Sequence, residues 1–254
     1  MPSTLMTAPE QQLAAPLTDQ RFASTHWSVV LAAQGPESPD AAEALERLCR
    51  TYWGALYAYA RRRGHSPADA ADLTQAFFAR FLEKQFLKDV DRRKGKFRSF
   101  LLKALNHFLA DEWRHAHAEK REGAHAMISI NAEEWETRYG HELASDLTPE
   151  KLFERRWALA LFDQALAQLR DESVRAGNGR QFELLKDFLS SPTGEGAYAT
   201  AAAELGLSPA TIAVQVHRLR RRYGELVRNE VAQTVVNPAE VEGELRHLLD
   251  VLSG

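Results

Sequence analysis

The side chains able to do chemistry in this chain are cations and aromatics, and they gather in two places. Between Asp89 and Arg121 stand nine lysines or arginines (Arg92, Arg93, Lys94, Lys96, Arg98, Lys103, Arg114, Lys120, Arg121) against five acids, an excess of four positive charges. Phe97, Phe100, Phe108 and Trp113 are interleaved with them. Cations track a phosphate backbone, and exposed aromatics give unpaired bases a stacking surface worth about 1–3 kcal/mol per base. The segment therefore suits single-stranded or melted DNA. Taken singly, Phe97, Phe100 and Phe108 are better read as core, whereas Trp113, beside Arg114 at the charged end of its helix, fits core or base contact equally. The second place is a helix opening at Pro209, where Thr211, Gln215, Arg218 and Arg222 fall on one side. Those residue types suit hydrogen bonds to base edges and contacts to phosphate.

The elements that must position this second set are legible. Ala201, Ala202 and Leu205 put small and apolar groups on one face of a short helix. Gly206 suits the left-handed position that ends a helix, and Ser208-Pro209 suits the cap and first residue of the next. Ile212, Val216 and Leu219 recur at helical spacing and can pack back on the first helix. That is a helix-turn-helix pattern, whose second helix presents its N-terminal half to a DNA groove. An ordinary antiparallel helix pair with a solvated basic end would look the same.

Other chemistries lack their motifs. No Gly-rich phosphate loop, HExxH, paired CxxC or nucleophile elbow is present, so the chain is not expected to be an enzyme or to need a cofactor. His107, His115, His117 and His125 are not spaced as metal ligands on one helix face, and Asp111 and Glu112 point to different sides of a helix. Composition is that of a soluble globular protein of 254 residues with net charge −3, so nucleic-acid binding must come from local patches. No apolar run approaches the roughly 20 residues that span a bilayer. The N-terminus lacks a signal-peptide pattern, and the lone Cys49 fits a reducing cytoplasm, which is the expected location.

The fold class read from the pattern is all-α, with two small helical domains joined by an acidic linker and a helix-turn-helix in the second. Residues 1–24 read as a disordered tail, 25–122 as the first domain, 123–150 as the linker, 151–229 as the second domain and 230–254 as a helical extension. Helices are expected near Trp27–Leu31, from Ala41 to Arg63, Ala68 to Leu87, Ser99 onward, Pro149 to Leu169, Arg180 to Leu189, through the motif above, and from Val241 to Leu252. One short strand or helix is expected near Ile128–Trp135.

Three stretches in the first domain carry a resemblance. They are Tyr57-Ala-Tyr-Ala-Arg-Arg-Arg-Gly, Asp69-Ala-Ala-Asp-Leu-Thr-Gln-Ala-Phe-Phe78, and Phe97-Arg-Ser-Phe-Leu-Leu with Asn106, Asp111-Glu-Trp-Arg114 and Lys120-Arg121. Together with the helix-turn-helix in the right order, they resemble bacterial extracytoplasmic-function sigma factors of the sigma-70 superfamily, here as a long-chain variant, over roughly residues 25–229. The resemblance implies core RNA polymerase and promoter DNA as partners, and leaves room for an anti-sigma factor. It implies that Asp69, Asp72, Gln75, Phe78 and Arg80 dock on the β′ clamp helices, with the β flap as a second contact. Asp72, Gln75 and Arg80 are then the exposed polar contacts, and Leu73 and Phe77 the core residues. Lys96, Phe97, Arg98, Asn106, Asp111, Trp113, Arg114, Lys120 and Arg121 would hold the melted minus-ten strand. Ser208, Pro209, Thr211, Gln215, His217, Arg218, Arg221 and Arg222 would read the minus-thirty-five duplex.

The chain also departs from that family. Ala213 and Gln215 stand where a cation or similar polar group is usual, Leu169-Arg170 replaces a Leu-Pro, and Thr200-Ala-Ala replaces a Glu-Ile-Ala. The stretch from Asp171 to Ala197 is longer than usual. Two other classes stay open on the sequence: a stand-alone helix-turn-helix regulator, and a helical interaction protein whose arginine blocks are solvated faces.

Overall fold

The structure, a computed structural model, describes residues 39–82, 96–118, 146–190 and 196–253, and every regular element among them is helical. The short helix expected near Trp27, the possible element near Ile128 and most of the acidic linker lie outside those residues.

Local signals explain most helix ends. Helix α1 (Pro39–Arg62) stops at Gly64, whose φ of 97° only glycine adopts cheaply. Ser66 and Asp69 then form a reciprocal cap. The Asp69 amide donates to Ser66 Oγ at 3.1 Å, and the Ser66 hydroxyl donates to Asp69 Oδ2 at 2.7 Å. That cap opens α2 (Pro67–Leu82), and α3 (Phe97–Ala118) follows. Thr148 caps α4 (Pro149–Arg175), accepting from the Lys151 amide at 3.3 Å. This helix runs past the expected end at Leu169, because no breaker occurs before Gly177, which takes φ 76°. The helix expected over Arg180–Leu189 divides into α5 (Gly179–Leu185) and a 3-10 turn, Lys186–Leu189.

The helix-turn-helix is built as its residues direct. After α6 (Ala199–Leu205), Gly206 sits left-handed at φ 65°, and the Leu207 and Gly206 amides donate back to the carbonyls of Ala202 and Ala203. Ser208 caps α7 (Pro209–Ala232) through the Thr211 amide at 3.1 Å. A 3-10 turn (Pro238–Glu240) leads into α8 (Val241–Ser253).

Packing differs from the expectation of two domains held apart. Helix α4 buries Leu152, Phe153, Trp157, Ala158, Leu161, Ala165 and Leu169, more than half its circumference, and so acts as a central helix. Its Trp157 stacks on Tyr52 of α1 at 6.1 Å, and Tyr52 meets Phe97 of α3 edge-on at 5.4 Å. One apolar core therefore spans α1 to α4 and takes in Leu226, Val227 and Val231 of α7 and Leu248 of α8. A smaller core lies under the helix-turn-helix, formed by Leu185, Ala201, Ala202, Ile212 and Val216. Ala202 and Ala201 are small where α6 and α7 approach, as the sequence implied.

Trp157 is wholly buried at the centre of the larger core. Trp157→Ala is expected to lower unfolding free energy by about 3–5 kcal/mol, the usual cost of deleting a buried aromatic. Urea denaturation followed by circular dichroism measures it, and a loss below about 1 kcal/mol would contradict the shared core.

Candidate functional site

Three surfaces hold the residues singled out by the sequence. On α2, Asp69, Asp72, Ala76 and Arg80 recur at helical spacing and are exposed. Gln75 is half-buried at the flank. Asp69 is engaged in capping its own helix. Phe78 differs from expectation: it lies on the opposite face, buried beside Phe77. A phenylalanine at that register completes the α1–α3 core and has no outward path. Leu73 is partly buried and Phe77 fully so, as expected.

The basic segment divides into a covered end and an open end. At the C-terminal end Trp113 is 65% exposed and Arg114 is exposed. Arg114 bonds the Asp111 carboxylate, and Arg80 of α2 approaches the other Asp111 oxygen at 3.8 Å. Arg80 also lies 5.9 Å over the Phe108 ring. The α2 set and the α3 set thus meet through Asp111. Midway along α3, Asn106 accepts from the Tyr59 hydroxyl at 2.8 Å and donates to the Leu102 carbonyl at 3.1 Å. Lys120 and Arg121 lie outside the described residues.

At the N-terminal end, of the expected solvent-facing cations Arg98 is covered, while Lys96 is paired but keeps a side chain 41% exposed. Phe97 is in the core, and Arg98 is 5% exposed. The Arg98 guanidinium lies 4.7 Å over the Trp157 ring, 3.6 Å from Glu154 of α4, and bonds Glu244 of α8. Lys96 bonds the second oxygen of Glu244. Burial lowers the pKa of Arg98 while Glu154 opposes it; burial, then the nearness of Arg98, lowers that of Lys96. The spacing of α3 alone left Arg98 outward, because the helices that cover it come from much later in the chain.

On α7 the exposed face reads Ala210, Thr211, Val214, His217, Arg218 and Arg221. Ser208 and Pro209 are exposed at its start, and the Ser208 and Thr211 hydroxyls are 2.9 Å apart. Gln215 departs from the expected face: it is half-buried, with a side-chain oxygen enclosed near Ser173, Asn178 and Gln181. Arg222 is held by both oxygens of Glu172 at 2.8 Å and by Glu225 at 3.1 Å. Arg221 pairs with Glu225 at 3.3 Å, and Arg220 donates to the Phe188 carbonyl. Of the arginine block, then, Arg218 points outward without a carboxylate beside it in these contacts, although Arg221 is also well exposed.

Sequence reading missed Glu244, Glu154, Trp157 and Glu172. None carries a local signature, and the role of each comes from contacts dozens to more than a hundred residues away. Cys49 is buried, and burial, and less so Glu46, pushes its thiol up to about 12. No described helix is long and apolar enough to cross a membrane.

Residues 48–119, less than a third of the chain, match the family model for sigma-70 region 2. The match runs from α1 through the end of α3 and covers the first two surfaces. Comparison with curated proteins returns no match, and neither does comparison with solved structures. Over those residues the chain is similar to sigma-70 region 2, which supports a sigma-70 family member.

Two buried or paired carboxylates give opposite pH responses. Hydrogen bonding to Arg222 lowers the Glu172 pKa, so its contribution is present above the ordinary value of about 4.3 and is lost as pH falls through the folded value. Burial raises the Glu230 pKa, so its contribution is full below about 4.3 and is lost as pH rises through the folded value. Glu230→Gln is therefore expected to raise the melting temperature at pH 8 and not at pH 4. Glu172→Gln is expected to lower unfolding free energy at pH 8 by less than about 1 kcal/mol for a partly exposed pair, and the difference is expected to shrink as pH falls below the ordinary carboxylate range. Thermal melts across that range check both signs.

Proposed function

We propose that the chain is a sigma factor of the extracytoplasmic-function type, which binds core RNA polymerase and directs it to promoters. One observation carries the reading. A segment similar to sigma-70 region 2 shares the chain with a helix-turn-helix whose second helix keeps an outward, partly cationic face.

In this reading the α2 face of Asp69, Asp72, Gln75 and Arg80 docks on the polymerase clamp helices. Its acids and base are matched to charged partners and are exposed enough to meet them. Trp113 and Arg114 take the melted minus-ten strand, the indole stacking on a base and the guanidinium meeting phosphate. Asn106 and Asp111 brace that end from within α3. Lys96 and Arg98 join the strand site once α8 leaves them, whereas Phe97 stays in the aromatic core.

The α7 face reads the minus-thirty-five duplex. Thr211 and Arg218 have the donors for base edges and phosphates, His217 and Arg221 flank them, and the exposed Val214 offers an apolar contact for a thymine methyl. Arg222 reaches phosphate only by leaving Glu172, so it adds less than an unpaired arginine would.

Run-off transcription with core polymerase over a promoter library tests the whole reading, and no promoter-dependent product would overturn it. Pull-down of core polymerase is expected to fail for Asp72→Ala combined with Gln75→Ala. Retained core binding would remove the docking assignment. Arg218→Ala is expected to weaken binding to upstream duplex by about 1–3 kcal/mol in a gel-shift titration. Duplex binding without any core binding would instead favour a stand-alone helix-turn-helix regulator.

A further inference from the structure

The covered end of α3 carries an inference about α8. Glu244 is 2% exposed, and its carboxylate is shared between two cations. One oxygen accepts from the Arg98 guanidinium and the other from the Lys96 ammonium. Two anionic oxygens bridging an arginine and a lysine are what a backbone phosphate presents to the same pair. No strand phosphate can reach Arg98 while α8 is in place.

The rest of α8 is built to come away. Among its residues Leu248 is the apolar side chain that is fully buried, while Val241, Leu245 and Leu252 are only partly covered. Its other ties are polar and lie toward its edges. Arg228 of α7 meets Glu242 at 3.0 Å, His247 lies 3.6 Å from Glu154, and Arg155 donates to the carbonyls of Val251 and Leu252. The two ion pairs among them are substantially exposed, and such pairs hold weakly and are screened by salt. A short segment and the 3-10 turn at Pro238–Glu240 join α8 to α7, so its departure uncovers Leu248 and its partly buried neighbours while leaving α1 to α7 chained as they are. A buried acid is also a costly way to fill space, and its best-attested use is specification or switching rather than stability.

We propose that α8 is a competitor built into the chain: Glu244 occupies the phosphate position of the strand site, and single-stranded DNA gains Arg98, and with it the full Lys96–Arg98 pair, only by displacing it. The proposal rests on the reading of those two residues as strand-binding, and the experiment separates the two.

The probe is a labelled single-stranded oligonucleotide of about one site length, roughly 4–16 nucleotides, followed by fluorescence anisotropy with the full chain. Glu244→Gln keeps the shape and removes the charge. It is expected to tighten binding about tenfold, the size of one charge-assisted contact. Adding Lys96→Ala and Arg98→Ala to it is expected to abolish the gain. Glu242→Gln, the exposed neighbour on the same helix, is expected to change nothing; a gain equal to that of Glu244→Gln would overturn the specific role of Glu244. Unchanged affinity in Glu244→Gln, with strand binding still weakened by Lys96→Ala and Arg98→Ala, overturns the competitor and keeps the strand site. No effect from any of these substitutions overturns the strand site itself. Hydrogen exchange on the unmodified protein needs no variant to fold: saturating strand is expected to deprotect the amides of 241–253 while α1 stays protected. Protection of α8 that persists with strand bound overturns the proposal.

Discussion

A guanidinium withdrawn from water is the constraint around which this chain is organised. Removing such an ion from solvent costs on the order of several kcal/mol, and the cost is offset only where partners converge on it. Arg98 finds them in three directions: the Trp157 ring beneath it, Glu154 at the next turn toward the N-terminus of α4, and Glu244 from α8. A desolvated cation over an indole contributes about 2 kcal/mol, and the carboxylates supply the rest of the compensation. Three segments far apart in sequence must therefore arrive together. The Tyr52–Trp157–Phe97 aromatic cluster fixes where they arrive. Without it Arg98 would lose the ring beneath it and the seat that brings Glu154 alongside.

The recognition end obeys a different logic. Its caps and turn are local, so α6 and α7 assemble from short-range instructions over a core of five buried residues. Its electrostatics are tertiary. Glu172 reaches from α4 to hold Arg222, and Phe188 offers its carbonyl to Arg220. Those contacts turn part of the arginine block inward, as braces of the helix. The outward charge falls to Arg218 and Arg221, with His217 beside them.

That contrast explains what the sequence makes legible. Helix identity follows from periodicity, and the breaks at Gly64 and Gly206 and the caps at Ser66 and Ser208 follow from backbone chemistry within four residues. So the all-α class, the helix-turn-helix and the burial of Phe77 and Phe108 can be read directly. The covering of Arg98 and the pairing of Lys96 cannot, because Glu244 lies 146 and 148 residues away and has no local signature. Phe78 illustrates a register effect: one position after Phe77, it could face either way until α1 closes over it. Gln215 is similar, since the long connection after α4 places Ser173, Asn178 and Gln181 against it. The shared core, too, depends on which face of α4 meets α1, and α4 is apolar around more than half its girth.

Helix α7 belongs to both cores. Its N-terminal half seats Ile212 and Val216 under the helix-turn-helix, and its C-terminal half sends Leu226, Val227 and Val231 into the larger core. It is one unbroken rod of 24 residues, about 36 Å long. A rod clamped at one end aims the other. The row from Thr211 to Arg221 therefore points along a bearing set by three aliphatic side chains a few turns away, and any change of angle between that row and α3 must begin by loosening their grip.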